Sequence, residues 1–218
     1  MKLQKGILAV LVGSSLIFTA CKCEKKEGIA VAPAEDTLRI DTNADDLPAS
    51  KLDADGNYIY DIGNNTEIAL PDGGKIEVGE NSTENKLFGM LNNANFTVSD
   101  DKTQGWVTLD RVYFATGNSQ LTPNSEAQVA NLITLLKAFP NASIKVGGYT
   151  DSTGDAAVNQ RVSTERAKAV ADKIIAGGVD ASRIESEGYG AQHFVCPAND
   201  TDECKAQNRR VDIRITKK

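Results

Sequence analysis

Segments with the pattern of β-strands alternate with segments patterned as α-helices from about residue 99 to the end of the 218-residue chain. The predicted elements are a strand at 106–114, a helix at 122–139, a strand at 143–149, a helix at 157–175, and strands at 183–188 and 210–216. Apolar residues recur at helical spacing in the first helix, which Pro140 stops, and Gly177-Gly178 ends the second. The order β-α-β-α-β-β predicts an α+β domain over residues 99–218, with helices packed on one mixed sheet.

A smaller group of predicted elements precedes this domain. They are strands at 58–60, 66–70 and 75–78 and a helix at 82–92. The sequence PDGG at 71–74 is a strong turn signal between the last two strands. Ser82 is expected to cap the helix, with Glu84 in its first turn. Residues 52–98 are therefore predicted to form a small accessory segment that is β-rich and has one short helix.

The spacing of Asp53, Asp55 and Asn57 is similar to the start of a calcium-binding loop. Such a loop has glycine at its sixth position and a bidentate glutamate at its twelfth. Here Gly56 stands at the fourth position and Asn64 at the twelfth. A turn before a strand is therefore the favoured interpretation, and no metal site is expected.

The first twenty residues have the layout of a secretory signal. Two lysines precede a thirteen-residue apolar region at 6–18, which is shorter than the roughly 20 residues of a membrane span. Thr19-Ala20 before Cys21 resembles the lipobox of bacterial lipoproteins, in which the cysteine carries the lipid. We therefore expect a signal peptide at 1–20 and acylation of Cys21. The alternative is plain secretion with an unmodified thiol.

Residues 21–51 are rich in charged residues, alanine and proline, and hold few large apolar side chains. Such a stretch cannot bury enough apolar surface to offset the entropy lost on ordering. We expect it to act as a flexible tether. Fully extended, it would reach on the order of 100 Å from the membrane.

Three further cysteines are Cys23, Cys196 and Cys204. In an oxidising compartment cysteines tend to pair, and the short polar stretch between Cys196 and Cys204 closes at little entropic cost. We expect a disulfide between these two, with Cys23 left over. A zinc site from both cysteines and His193 is the alternative, but it offers three ligands at irregular spacing.

Composition excludes several classes of function. The net charge of -6 and the sequence pI of about 4.9 argue against a broad basic face for nucleic acid. No sequence pattern places a nucleophile beside a base, or two carboxylates around a water molecule. We therefore expect no enzymatic activity, no cofactor and no nucleic-acid partner.

The second long helix carries a charge where a core contact is expected. Its predicted apolar-facing stripe consists of Ser163, Ala167, Val170 and Ile174. Asn159 and Arg166 fall on the near edge of this stripe, and a buried arginine requires a partner. The candidate partner is Asp151, at the end of the preceding strand.

Two interpretations of this charged pair remain open. Asp151 and Arg166 form a structural ion pair, or they line an open pocket side by side. A pocket with one acid and one base matches a zwitterion, because the carboxylate takes an ammonium group and the guanidinium takes a carboxylate.

Several motifs stand here in the order and at the spacing of one known family. They are Tyr113-Phe114, Leu121-Thr122-Pro123, GYTDSTG at 148–154, Asn159, STERA at 163–167 and NRRV at 208–211. Residues 106–216 thereby resemble the OmpA-like peptidoglycan-binding domain, and with the lipobox the whole resembles a peptidoglycan-associated lipoprotein. The family more often has histidine at the position of Tyr149 and leucine at that of Val162.

The resemblance implies a pocket for the diaminopimelate residue of the peptidoglycan stem peptide. Asp151 and Arg166 would hold the two ends of diaminopimelate. The implied pocket is completed by Thr150, Asn159 and the backbone around Phe114 and Ala115. Arg209 and Arg210 are expected near its rim, as anchors of the last strand or as ligand contacts.

The implied protein is anchored by lipid in the outer membrane, faces the periplasm, and tethers that membrane to the cell wall. The alternative is a surface-exposed interaction or adhesion lipoprotein that retains the fold without wall binding, since fold does not fix function. A wall hydrolase would need catalytic residues that the sequence pattern lacks. A flagellar stator would need a retained membrane helix.

Overall fold

A computed structural model describes residues 51–115 and 118–218. The predicted signal peptide, the lipidation site Cys21, the leftover Cys23 and almost all of the predicted tether lie outside the described residues. No helix in the described part of the chain is both long and apolar enough to cross a membrane.

The described residues form two sheets and four α-helices. The strands are β1 (Asn65–Ala69), β2 (Lys75–Gly79), β3 (Trp106–Thr108), β4 (Ser143–Gly148), β5 (Ile184–Gly188) and β6 (Val211–Lys217). The helices are α1 (Thr83–Asn92), α2 (Ser125–Ala138), α3 (Ala156–Ala176) and α4 (Asp202–Asn208). Strands β1 and β2 pair as an antiparallel hairpin, and the other four follow the order β3-β6-β4-β5.

The larger sheet is mixed, as predicted. Strands β4 and β5 run parallel, whereas β6 is antiparallel to both β3 and β4. The predicted stripe of α3 is buried, and its members Ser163, Ala167, Val170 and Ile174 have no exposed surface. The α+β class and the packing of helices on one mixed sheet are therefore confirmed.

Gly148 sets how closely α3 approaches the sheet. A Cβ at this position would lie 2.1 Å from the carbonyl oxygen of Ser163, so no larger residue fits without a backbone shift. This close approach fixes the position of α3 against the end of β4. The residues that follow β4 and those on the first half of α3 are thereby held near each other.

The strand predicted at 106–114 is wrong in length, because β3 covers only three residues. Beyond it, side chains of α2 take the backbone N–H groups that a longer strand would offer to a neighbour. The amide of Arg111 donates to Gln128 Oε1 at 2.9 Å, and that of Tyr113 to Ser125 Oγ at 2.8 Å. The chain therefore leaves the sheet and passes along α2.

The cysteine-containing stretch holds a helix that the sequence reading missed. Helix α4 begins after Thr201, whose hydroxyl accepts a hydrogen bond from the amide of Cys204 at 3.1 Å. Two acidic residues follow in its first turn, which is a favourable arrangement at a helix start. The predicted disulfide between Cys196 and Cys204 is confirmed, so both thiolates of the alternative zinc set are consumed.

Residues 52–98 share one hydrophobic core with the rest of the described chain. Of their predicted strands, the one at 58–60 is reduced to an isolated bridge between Leu52 and Tyr58. The cap of α1 by Ser82 is confirmed, with its hydroxyl accepting from the amide of Asn85 at 3.3 Å. The boundary between residues 98 and 99 stays a prediction.

A buried polar network fastens α1 to α2. Glu84 has no exposed surface and accepts hydrogen bonds from Gln128 Nε2 at 3.0 Å and Asn131 Nδ2 at 3.2 Å. It also forms an ion pair with Arg111. Gln128 donates a further bond to Asp110 Oδ1 at 2.7 Å. Each buried polar group of Glu84 and Gln128 is therefore satisfied across the two segments.

The residues whose spacing is similar to the start of a calcium-binding loop form a turn, which is the interpretation that the sequence favoured. The carboxylate of Asp53 accepts from the amides of Asp55 and Asn57 at 2.9 and 2.8 Å, and from Asn57 Nδ2 at 2.9 Å. The carboxylate is thus occupied by its own turn. Among the described residues no group of three or more His, Cys, Asp or Glu side chains is arranged to hold a metal ion.

Candidate functional site

Asp151 lies just beyond β4, in the turn that leads into α3. Its Oδ1 accepts the amide of Thr153 at 2.7 Å, and its Oδ2 accepts Arg209 Nη1 at 2.9 Å. Asn159 closes the turn from α3, donating to Thr153 O at 3.0 Å and to Asp151 O at 3.4 Å. The carboxylate is therefore fixed in position by its own turn and by Arg209, the residue that directly follows α4.

Arg209, and not Arg166, is the ion-pair partner of Asp151. The sequence reading weighed a direct Asp151–Arg166 pair, which is absent among the described residues. The actual ion pair was not predicted because its two residues are far apart in the sequence. Arg209 follows α4 and reaches Asp151 from 58 positions further along the chain, so no local pattern in the sequence relates the two.

Arg166 is buried but makes few interactions with the described residues. It is 9% exposed, its Nε donates to Asn118 O at 3.2 Å, and its guanidinium lies 5.1 Å from the ring centroid of Phe114. No carboxylate pairs with it in the described part of the chain. The aromatic face offers a cation–π contact, but most of the N–H donors of Arg166 stay available.

The charges of the two residues respond to this arrangement. Burial raises the pKa of Asp151, but hydrogen bonds from Arg209 and Thr153 outweigh it and hold the pKa below its usual value. Burial and the nearby Arg209 lower the pKa of Arg166, while Asp151 raises it in part. An arginine still remains a cation in neutral water. Asp151 and Arg166 thus carry opposite charges at neutral pH.

The other predicted pocket residues differ in what they offer. Thr150 Oγ1 is buried without a hydrogen-bond partner among the described residues, so it is an unused polar group beside Asp151. Phe114 forms an isolated bridge with Leu121, which holds its ring under Arg166. The amide of Ala115 donates to Gln120 O at 3.0 Å and its carbonyl accepts from the amide of Asn118 at 3.2 Å, so both backbone groups of Ala115 already have a partner within the protein.

A cavity of about 310 Å³ opens at Arg166 and Phe114. Its wall also contains Tyr113, Arg209, Arg210 and, unexpectedly, residues 55–60 of the accessory segment. Asp151, Thr150 and Asn159 are not among the described residues that line it. Arg209 connects the two parts, because it lines the cavity and binds Asp151.

The accessory segment is attached to the cavity by two hydrogen bonds. Arg209 Nη2 donates to Gly56 O at 3.1 Å, and the hydroxyl of Tyr113 donates to Tyr58 O at 2.9 Å. Both acceptors are backbone carbonyls, which any residue supplies. The sequence therefore carried no side-chain signal for this contact.

Comparison with known proteins gives a family match for part of the chain. Residues 113–209 match the model of the OmpA family. The chain is 40% identical over 107 residues to a probable lipoprotein, YiaD, of Escherichia coli, an alignment that covers 49% of this chain and 48% of that protein. It is 36% identical over 109 residues to the peptidoglycan-binding protein ArfA of Mycobacterium tuberculosis, covering 50% of this chain and 33% of that protein.

One solved structure to which this chain is similar is that of the peptidoglycan-associated lipoprotein from Burkholderia pseudomallei. It superposes with a TM-score of 0.47 at 24% identity, covering 58% of this chain and 99% of that one. The chain thus spans about half, or less, of the length of the curated relatives it matches.

Proposed function

Because residues 113–209 form an OmpA family domain, we propose that this chain binds peptidoglycan without a covalent bond and tethers it to the outer membrane. In this proposal the ligand is the diaminopimelate residue of the stem peptide. Its ammonium group binds at Asp151 and its carboxylate at Arg166. The mechanism is mechanical, with lipid on Cys21 at one end and cell wall at the other.

The observation that carries the proposal is Arg166. A buried guanidinium without a carboxylate partner is costly unless a ligand supplies one. Arg166 lines the cavity and keeps donors available, and a guanidinium binds a carboxylate through two parallel hydrogen bonds. A free carboxylate on the ligand satisfies that requirement.

Asp151 supplies the opposite charge. Each of its oxygens accepts at least one hydrogen bond within the protein, and a carboxylate has about four acceptor positions. One position on each oxygen therefore remains for an ammonium group.

The relatives support the wider function. One relative is named as peptidoglycan-binding and another as a probable lipoprotein, and both align over the domain that holds Asp151 and Arg166. A single weak site is sufficient for a tether, because a lipid anchor confines the domain beside a repeating ligand and raises the effective concentration. The acidic net charge indicates that a local pocket, and not general electrostatics, supplies the binding.

The test is co-sedimentation of the full chain, purified in detergent, with peptidoglycan sacculi. Asp151→Ala and Arg166→Ala are compared with Asp172→Ala and Arg161→Ala, which alter exposed charges on α3 away from the cavity. We expect the parent and the two control variants to sediment, and the two site variants to stay in solution although folded. A parent that stays in solution overturns the proposal and favours the surface-exposed interaction lipoprotein.

A further inference from the structure

The cavity at Arg166 has room for more than one carboxylate of a ligand. Arg166, Arg209 and Arg210 all line it, whereas Asp55, at an exposed position, is its one lining carboxylate among the described residues. Its volume of about 310 Å³ lies near the lower end of the range for small-molecule sites, roughly 300–1,000 Å³. Arg209 and Arg210 are each paired with a carboxylate, Asp151 and Asp212, so a second anionic group of a ligand would depend on donors that these pairs leave unused.

Two tyrosines from the accessory segment face this cationic cavity. Tyr58 and Tyr60 line it, with their ring centroids 4.8 Å apart in an edge-to-face arrangement. Neither phenol hydroxyl has a hydrogen-bond partner in the part of the chain that the structure describes. Burial raises the pKa of Tyr60 well above its usual value, so its hydroxyl remains a proton donor at neutral pH.

Arg210 adds a further unused donor on the same wall. It is 7% exposed, its Nε donates to both oxygens of Asp212, and its Nη2 donates to His193 O at 3.0 Å. Its Nη1 is buried and has no hydrogen-bond partner among the described residues, while the guanidinium lies 3.9 Å from the ring centroid of Tyr149. Among the described residues beside the cavity, two tyrosine hydroxyls and the Nη1 amino group of Arg210 therefore stand without acceptors.

We propose that residues 55–60 form a second wall of the ligand site, and that Tyr58, Tyr60 and Arg210 bind a second carboxylate of the stem peptide, one outside diaminopimelate. This inference rests on the proposed function. Residues 55–60 lie outside the part that matches the OmpA family, so the second wall is a feature of this chain's own accessory segment. The segment thereby selects among stem peptides by the charge of a neighbouring residue.

The mode of attachment suits such a role. The backbone carbonyls of Gly56 and Tyr58 accept the hydrogen bonds that hold the segment, from Arg209 and Tyr113. The side chains of Tyr58 and Tyr60 are not used for anchoring, so they stay available to a ligand. Replacing either tyrosine by phenylalanine removes a donor while keeping the ring contact between them.

The experiment is a calorimetric titration of the full chain with two synthetic stem peptides that end in diaminopimelate. One has every carboxylate free, and the other is amidated only at carboxylates outside diaminopimelate. The proteins are the parent, Tyr58→Phe, Tyr60→Phe, their combination, and Tyr189→Phe. Tyr189 is a matched control, because its hydroxyl contacts Glu187 and it does not line the cavity.

We expect the parent and Tyr189→Phe to bind the free peptide more tightly than the amidated one. Each cavity substitution should weaken binding of the free peptide about tenfold, which is the effect of one hydrogen bond to a charged group. The combined variant should bind both peptides alike. Equal preference in the parent and the combined variant overturns the second wall and leaves the proposed function intact. If the parent binds neither peptide and does not sediment with sacculi, the proposed function fails as well.

Discussion

The guanidinium of Arg209 bridges Asp151 and Gly56, with Nη1 at 2.9 Å from Asp151 Oδ2 and Nη2 at 3.1 Å from Gly56 O. One side chain thus links the turn after β4 to the accessory segment. Its position explains why Asp151 pairs with Arg209 and not with Arg166. Asp151 has a cationic partner in Arg209, whereas no carboxylate pairs with the guanidinium of Arg166 among the described residues.

Removal of this bridge tests its contribution and its pH dependence. Arg209→Ala should lower the free energy of unfolding by about 1 kcal/mol at neutral pH, because the pair is partly exposed. Asp151 has a lowered pKa in the folded protein, so its stabilisation is present above its ordinary value of 3.8 and is lost as pH falls through the folded value.

The difference between parent and Arg209→Ala should therefore shrink below pH 3.8. Denaturant unfolding at pH 7 and at pH 3, with Asp151→Asn and the double variant completing a thermodynamic cycle, measures this. A difference that is equal at both pH values contradicts the assignment of the effect to Asp151.

The buried Glu84 network predicts a larger effect. Glu84→Ala should destabilise the protein by about 3 kcal/mol, because it removes one partner of a buried ion pair and the acceptor of one hydrogen bond each from Gln128 and Asn131. Glu185→Ala, at an exposed position on β5, is the matched control and should change stability by less than about 0.5 kcal/mol. Similar unfolding midpoints for the two variants would show that the network contributes little.

Long-range hydrogen bonds such as those of this network are the part of the fold that the sequence did not predict. Hydrophobic periodicity predicted β4, α2 and α3 closely, since each is long and has a buried face. Periodicity carries no information on side chains such as Gln128 that take backbone amides over long distances, so the end of β3 was placed six residues too far. Helix α4 was missed, although Thr201 followed by two acidic residues is a start signal.

The candidate site likewise has a part that the sequence predicted and a part that it did not. Motif spacing identified Asp151, Arg166 and Asn159 as neighbours of one turn and one helix. Contacts between distant segments were outside its reach, including Arg209 with Asp151 and residues 55–60 with the cavity. Backbone carbonyls make the second of these contacts, and no side-chain pattern encodes a carbonyl.

The disulfide gives a third prediction. Reduction, or replacement of both Cys196 and Cys204 by serine, should lower the free energy of unfolding by about 2–3 kcal/mol, the effect expected for a loop of this length. Thermal unfolding with and without a reductant measures the change. Cys23→Ser is the control and should respond to reductant as the parent does. An unfolding temperature that does not move on reduction would contradict a stabilising role for the bond.

Arg166 is proposed to bind the ligand carboxylate that distinguishes diaminopimelate from lysine. The most direct measurement is the Kd of the full chain for two stem peptides identical except for that residue, with the parent, Arg166→Ala and the control Arg161→Ala. We predict that the parent and the control bind the diaminopimelate peptide at least tenfold more tightly than the lysine peptide. This ratio corresponds to about 1.4 kcal/mol or more, the contribution of a hydrogen bond to a charged group. Arg166→Ala should bind both peptides equally. A parent without preference, or a preference that survives in folded Arg166→Ala, would contradict the account.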